Sequence, residues 1–207
     1  MSKQQAPLEY LGKFIPPAAV PKVLHYLQQY SIHLTITRDR KSVLGDYRHA
    51  TRQQTHRISV NSTLNRYSFL ITLIHELAHL LTFTQYGNRV LAHGREWKQV
   101  YAVLLKDFLE LKIFPTDIET ALSKSMHDLP ASSCADENLM RVLRNYDNTA
   151  DGMVLVEQVT EGKLFDIGGK RIFRKGKKLR KRYQCVEIAT GKLYLFSPVY
   201  EVRLVEI

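Results

Sequence analysis

The segment His75-Glu76-Leu77-Ala78-His79 sets three side chains that can do chemistry at a spacing that suits it. On a helix, positions i and i+4 share one face, so both imidazoles can reach one metal ion. Glu76, next to the first, reaches a water on that ion more easily than the ion itself. Zinc held by imidazoles with one open vertex lowers the pKa of its water to about 7. Glu76, as general base, would take that proton and pass it to a leaving amine. The chain holds 8 His and 11 Glu, and a shuffled sequence would show the trio with an expectation of roughly 0.016. The competing reading is a core helix with incidental histidines. It would bury three ionisable groups among Leu73, Ile74, Leu77, Leu80 and Leu81 without partners, which is costly.

Two histidines leave a catalytic zinc site one protein ligand short. His93 follows the Gly87-Asn88 helix end and precedes Gly94-Arg95-Glu96-Trp97, so a chain reversal between two helices would carry it over the metal. Glu96 and Glu110 are the alternatives, with Glu96 better suited to orienting a histidine. His25, His33 and His127 read as surface or packing residues. Tyr47, His49, His56 and Arg95 are each able to stabilise a tetrahedral intermediate, and the sequence does not choose among them. Manganese or cobalt suit the same donors, with zinc as the default.

Several elements must position these residues. Pro16-Pro17 opens a predicted helix over about 18–30, with Val20, Val23, Leu24 and Leu27 at helical spacing. Strands are predicted at 33–38, 46–50 and 57–60, with Gly45-Asp46 as a turn. The helix bearing the motif spans about 66–86 and ends at Gly87-Asn88. Further helices are expected over 94–112, from Pro115 to about 125 and over 138–146, with a loop at 130–135. The pattern changes around 148–152. Beyond it, β-type runs are predicted at 154–159, 163–167, 171–174, 182–188, 193–196 and 201–205. Gly168-Gly169, Lys175-Gly176 and Thr190-Gly191 are read as the turns. The expected fold class is α+β. A zincin-type metallopeptidase domain at 1–148, with its core at about 18–112 and its helices packed on a small mixed sheet, precedes a small basic antiparallel β domain at 149–207.

The 207 residues carry a formal net charge of +10, 44% hydrophobic and 24% charged residues. That excludes collagen, low-complexity disorder and a disulfide scaffold. The most apolar stretch, 67–83, holds His75, Glu76 and His79, which argues against a membrane span. The first residues lead into no apolar run with a cleavage site, and the two cysteines, Cys134 and Cys185, lie far apart. A cytoplasmic setting with free thiols is expected. Positive charge is densest late in the chain. Lys170, Arg171, Arg174, Lys175, Lys177, Lys178, Arg180, Lys181 and Arg182 put nine cations in 13 positions, with Phe173 and Tyr183 among them. Such a run can track a phosphate backbone and stack on unpaired bases, so DNA is an expected partner. The plainer reading is a solvated hairpin with Ile172, Phe173, Leu179 and Tyr183 as core.

His-Glu-Leu-Ala-His, followed by His93-Gly94 and Trp97, resembles the SprT-like metalloprotease family, which includes the eukaryotic protease Spartan. Gly45-Asp46-Tyr47, Ile58-Ser59-Val60-Asn61 and Leu64 resemble that family's approach to its active-site helix. The resemblance covers about 18–112. It implies His75, His79 and His93 as zinc ligands, Glu76 as general base and peptide-bond hydrolysis. For the eukaryotic relatives it also implies cleavage of proteins attached to DNA. Many members carry a four-cysteine zinc ribbon after the peptidase domain, and two cysteines cannot build one. The leading expectation is therefore a soluble Zn2+-dependent protease acting on protein or peptide substrates, with an extended substrate pairing with a strand near 57–60. A nucleic-acid-binding or adaptor protein with a structural or vestigial zinc site is one alternative, and a small-substrate zinc amidase another.

Overall fold

Asn65 begins the longest helix. Its side-chain oxygen accepts the backbone N–H groups of Tyr67 at 3.0 Å and Ser68 at 2.9 Å, which satisfies two of the donors that a helix start leaves open. The helix, α2, then runs Arg66–Tyr86 and stops at Gly87, whose φ of +60° suits a residue without a Cβ. Twelve of its residues are buried, from Phe69 to Thr82. A helix apolar on nearly every side must be surrounded by other elements. This computed structural model describes residues 8–38, 40, 43–126, 136–148, 152–169 and 171–205. The expected 130–135 loop, His127, Cys134 and Lys170 lie outside them.

The chain divides into two units, Met1–Asp147 and Asn148–Ile207. In the first, α1 (Val20–Gln29) precedes strands β1 (His33–Thr37), β2 (Gly45–Arg48) and β3 (Arg57–Asn61). After α2 come α3 (Arg95–Leu109), α4 (Thr116–Ser125) and α5 (Glu137–Arg144). The sheet order is β1-β3-β2, with β1 parallel and β2 antiparallel to β3. Leu34, Ile58 and Val60 are buried, and α2 packs against β2, β3 and α3. The fold is α+β. Because β3 lies in the middle, both its edges are used. Substrate pairing at 57–60 is therefore excluded, and the edges of this sheet are β1 and β2.

Gly45 corrects another expectation. It is not in a turn but is the first residue of β2. A Cβ there would lie 2.6 Å from Oε1 of Glu76 and 2.7 Å from Cγ2 of Thr72, so a glycine lets this strand approach α2.

The second unit is one antiparallel sheet in the order β4-β9-β5-β6-β7-β8, with β4 (Met153–Leu155), β5 (Leu164–Asp166), β6 (Ile172–Lys178), β7 (Tyr183–Glu187), β8 (Leu193–Phe196) and β9 (Glu201–Leu204). Phe165, Phe173 and Phe196 form its aromatic centre, with ring centroids 5.0–5.7 Å apart. The strand expected over 154–159 is broken. A 3-10 turn occupies Val156–Gln158, and the Gln158 side chain accepts the N–H of Leu155 at 2.8 Å. Lys175-Gly176 is likewise not a turn. Strand β6 passes through it with a register shift between Lys175 and Lys178, and a Cβ on Gly176 would meet the Gln184 carbonyl oxygen at 2.5 Å. The reversal comes instead at 179–182. Among the described residues, no helix is long and apolar enough to cross a membrane.

Candidate metal centre

Helix geometry brings His75 and His79 together, and the turn before α3 adds His93. Nε2 of His75 lies 3.2 Å from Nε2 of His79 and 3.3 Å from Nε2 of His93. Three neutral imidazoles that face one another through the same nitrogen cannot all be hydrogen-bond partners, because each has one N–H and one lone pair. A tetrahedral ion with metal–nitrogen distances near 2.0–2.1 Å sets its ligand nitrogens about 3.3 Å apart. The donor set and its spacing therefore fit a bound divalent cation, and among the described residues these three histidines form the one cluster able to hold it. Glu96 and Glu110 are not part of it.

Burial makes the rings neutral before any ion arrives. It pulls His75 down to about 3, with the charges of His79 and His93 adding to the effect. His79 falls to about 4 through burial and then His93, and burial also lowers His93. Neutral imidazole is the form that binds metal. Trp97 packs against all three rings, at 4.7, 5.2 and 4.8 Å between centroids from His75, His79 and His93. It stacks in turn on Tyr101 at 4.9 Å. His75 is buried, whereas His79 and His93 are part-exposed, so the opening of the site lies on their side. Nδ1 of His75 and Nε1 of Trp97 are buried without a hydrogen-bond partner.

Glu76 is buried beside the cluster. Burial pushes its carboxyl up to about 8. Asp46 pushes the same way, while the Arg40 guanidinium and the backbone N–H of Tyr47, which the carboxylate accepts, oppose it. A cation on the histidines would oppose it further. A carboxylate whose proton affinity is raised toward neutrality is suited to general-base work. The strand that supplies the Tyr47 N–H is the one that Gly45 allows in, so β2 fixes the carboxylate.

The other candidates fall in two places. Tyr47, His49 and His56 gather around Phe83, one helical turn beyond His79 on the same stripe of α2. His56 Nδ1 accepts the Ala50 N–H at 3.2 Å and lies 2.9 Å from the Tyr47 hydroxyl. Arg95 is exposed at the start of α3.

In the second unit the basic run splits. Arg174, Lys177, Lys178, Arg180, Lys181 and Arg182 are exposed. Lys175 is buried, contrary to its grouping with them. Its ammonium donates to the Glu157 carbonyl at 3.1 Å and to the Val159 carbonyl, and sits 4.1 Å from the centre of the Tyr183 ring. Arg171 donates to Glu187 at 2.6 Å and covers the Phe173 and Tyr194 rings. Leu179, expected in the core, is exposed, and Cys185 is a buried free thiol. Sequence reasoning missed Arg40 and Tyr101, which carry no motif of their own. Arg40 would have been visible only through the buried Asn61 it binds at 2.8 Å.

Residues 22–114 match the SprT-like family, a span that contains α2, His93 and α3. No curated protein and no solved structure matches the chain.

Proposed function

We propose that this chain is a zincin-type metallopeptidase that hydrolyses peptide bonds with one Zn2+ held by His75, His79 and His93. The observation that carries this reading is the convergence of three Nε2 atoms beside a buried carboxylate with raised proton affinity. When bound, the ion supplies Lewis acidity: it polarises a carbonyl and acidifies water. The remaining work belongs to the chain. Glu76 takes a proton from the attacking water and delivers it to the departing amine nitrogen. The Tyr47 N–H holds that carboxylate in place, and Trp97 closes one side of the histidine cluster to solvent. An extended substrate lies along the edge of β2 that has no strand partner among the described residues, next to Glu76, and not on β3. The match of 22–114 to the SprT-like family supports the same chemistry.

The exposed cations Arg174, Lys177, Lys178, Arg180, Lys181 and Arg182 favour substrates held at or near nucleic acid. One experiment tests both parts: purified protein with unfolded casein, with and without chelator, and with and without single-stranded DNA. Chelator-sensitive fragments that return when zinc is restored support the peptidase. Absence of cleavage in every arm, with DNA binding that survives chelation, supports a binding protein with a structural metal.

A further inference from the structure

The three-stranded sheet carries a cleft of about 480 Å3 whose lining includes none of the three histidines. Strand register builds it. His33 stands beside Arg57, Thr35 and Asp46 beside Ser59, and Arg48 beside Arg57. These residues alternate with the buried Leu34, Ile58 and Val60, so they share the opposite face. Arg40 joins them in lining the cleft.

Charge in this cleft is unbalanced. Of the residues lining it, Arg40, Arg48 and Arg57 are cationic and Asp46 alone is anionic. Asp46 accepts from Nε of Arg48 at 2.8 Å. Arg40 is pinned by neutral acceptors, Oδ1 of Asn61 at 2.8 Å and Oγ of Ser59 at 3.1 Å, which orient its guanidinium without neutralising it. Nε of Arg57 is buried and makes no hydrogen bond. A buried N–H donor without an acceptor costs free energy. Among the described residues neither Arg40 nor Arg57 forms a close ion pair with a carboxylate, and two such guanidiniums on one cleft suit a dianionic oxyanion with several acceptor oxygens. The space exceeds what an inorganic anion fills and falls within the range of about 300–1,000 Å3 usual for small-molecule sites.

We propose that this cleft binds the phosphate of a nucleotide-sized phosphate ester, either free or as one unit of a nucleic acid strand. The inference rests on residues that neither hold the metal nor move the proton, although Arg40 and Asp46 also bear electrostatically on the Glu76 carboxyl.

The test is titration of the full zinc-loaded chain with adenosine monophosphate, with a short 5′-phosphorylated oligothymidylate and with polyglutamate, followed by calorimetry and by amide chemical shifts. Binding of the monophosphate is expected to move amides of 33–35 and 57–59. R57Q should weaken it by about tenfold or more, the loss expected for a hydrogen bond to a charged group. Replacing Arg180, Lys181 and Arg182 by Ala should leave monophosphate binding unchanged. Zinc content reports that each variant is folded, and R48Q at the exposed edge serves as a second probe should R57Q misfold. Binding of monophosphate alone identifies a free nucleotide, and binding of both phosphate probes identifies a strand unit. The proposal is overturned if neither binds, if R57Q and R48Q both bind as wild type, if the shifts map elsewhere, or if polyglutamate binds equally well.

Discussion

Both units bury ionisable groups, and they bury them differently. In the β unit, Lys175 and Glu187 are inside but supplied. Two carbonyls and an aromatic face receive the ammonium, while Arg171 and the Thr190 hydroxyl donate to the carboxylate. In the α2 unit, three imidazoles face one another through the same nitrogen, one ring nitrogen and one indole nitrogen lack partners, and a carboxyl is held far above its ordinary range. The first arrangement is complete as it stands and contributes to stability. The second leaves buried polar atoms unmatched and a carboxyl strongly perturbed, which is the mark of a functional centre.

The sharpest way to break this contrast is Glu76→Gln. It should lower casein hydrolysis by about 10^2–10^4-fold, the usual worth of a general base, while zinc stoichiometry stays that of wild type. A variant that cuts at wild-type rate would remove Glu76 from the mechanism. Lys175→Met should do the reverse. Two buried carbonyls would lose their donor, at about 1–3 kcal/mol of stability by denaturant unfolding, with zinc content unaffected. If it unfolds no more easily than wild type, Lys175 does not stabilise the fold through the Glu157 and Val159 carbonyls.

Acid and base should also act differently on the site of the metal-free protein. His75 and His79 titrate at about 3 and about 4 in the folded chain, against about 6.5 unfolded. Between those values the unfolded chain binds more protons, so stability falls as pH drops below about 6.5. Glu76 is raised from 4.5 to about 8, so the folded state binds more protons in that window and stability falls as pH rises through it. Melting temperatures of chelated protein should therefore peak near pH 6.5. Glu76→Gln should flatten the alkaline limb and steepen the acid limb between about 4.5 and 6.5, and an unchanged alkaline limb would place its origin elsewhere. The smallest effect is expected from replacing Arg180, Lys181 and Arg182 by Ala, with stability within about 0.5 kcal/mol of wild type. A larger loss by the same unfolding measurement would show that this turn is structural.

Much of the centre was legible because helix periodicity is local. His75, Glu76 and His79 needed only α2, whose apolar run and Gly87 stop are written in 66–87. Strand order is not local. The middle position of β3 depends on which strands flank it, so a substrate edge at 57–60 was read where none is free. Glycine misled twice for one reason. Gly45 and Gly176 are used for close approach, to Glu76 and to the Gln184 carbonyl, yet in sequence they look like turns. The inward course of Lys175 was hidden because a run of cations gives no sign of which one meets two carbonyls.

Three imidazole nitrogens are expected to hold one ion beside Glu76. Crystals grown with zinc and measured across its absorption edge test this most directly. A single anomalous peak is expected at about 2.0–2.1 Å from Nε2 of each of His75, His79 and His93, and it should disappear in His93→Ala. A peak bound elsewhere, or full occupancy in His93→Ala, would contradict it.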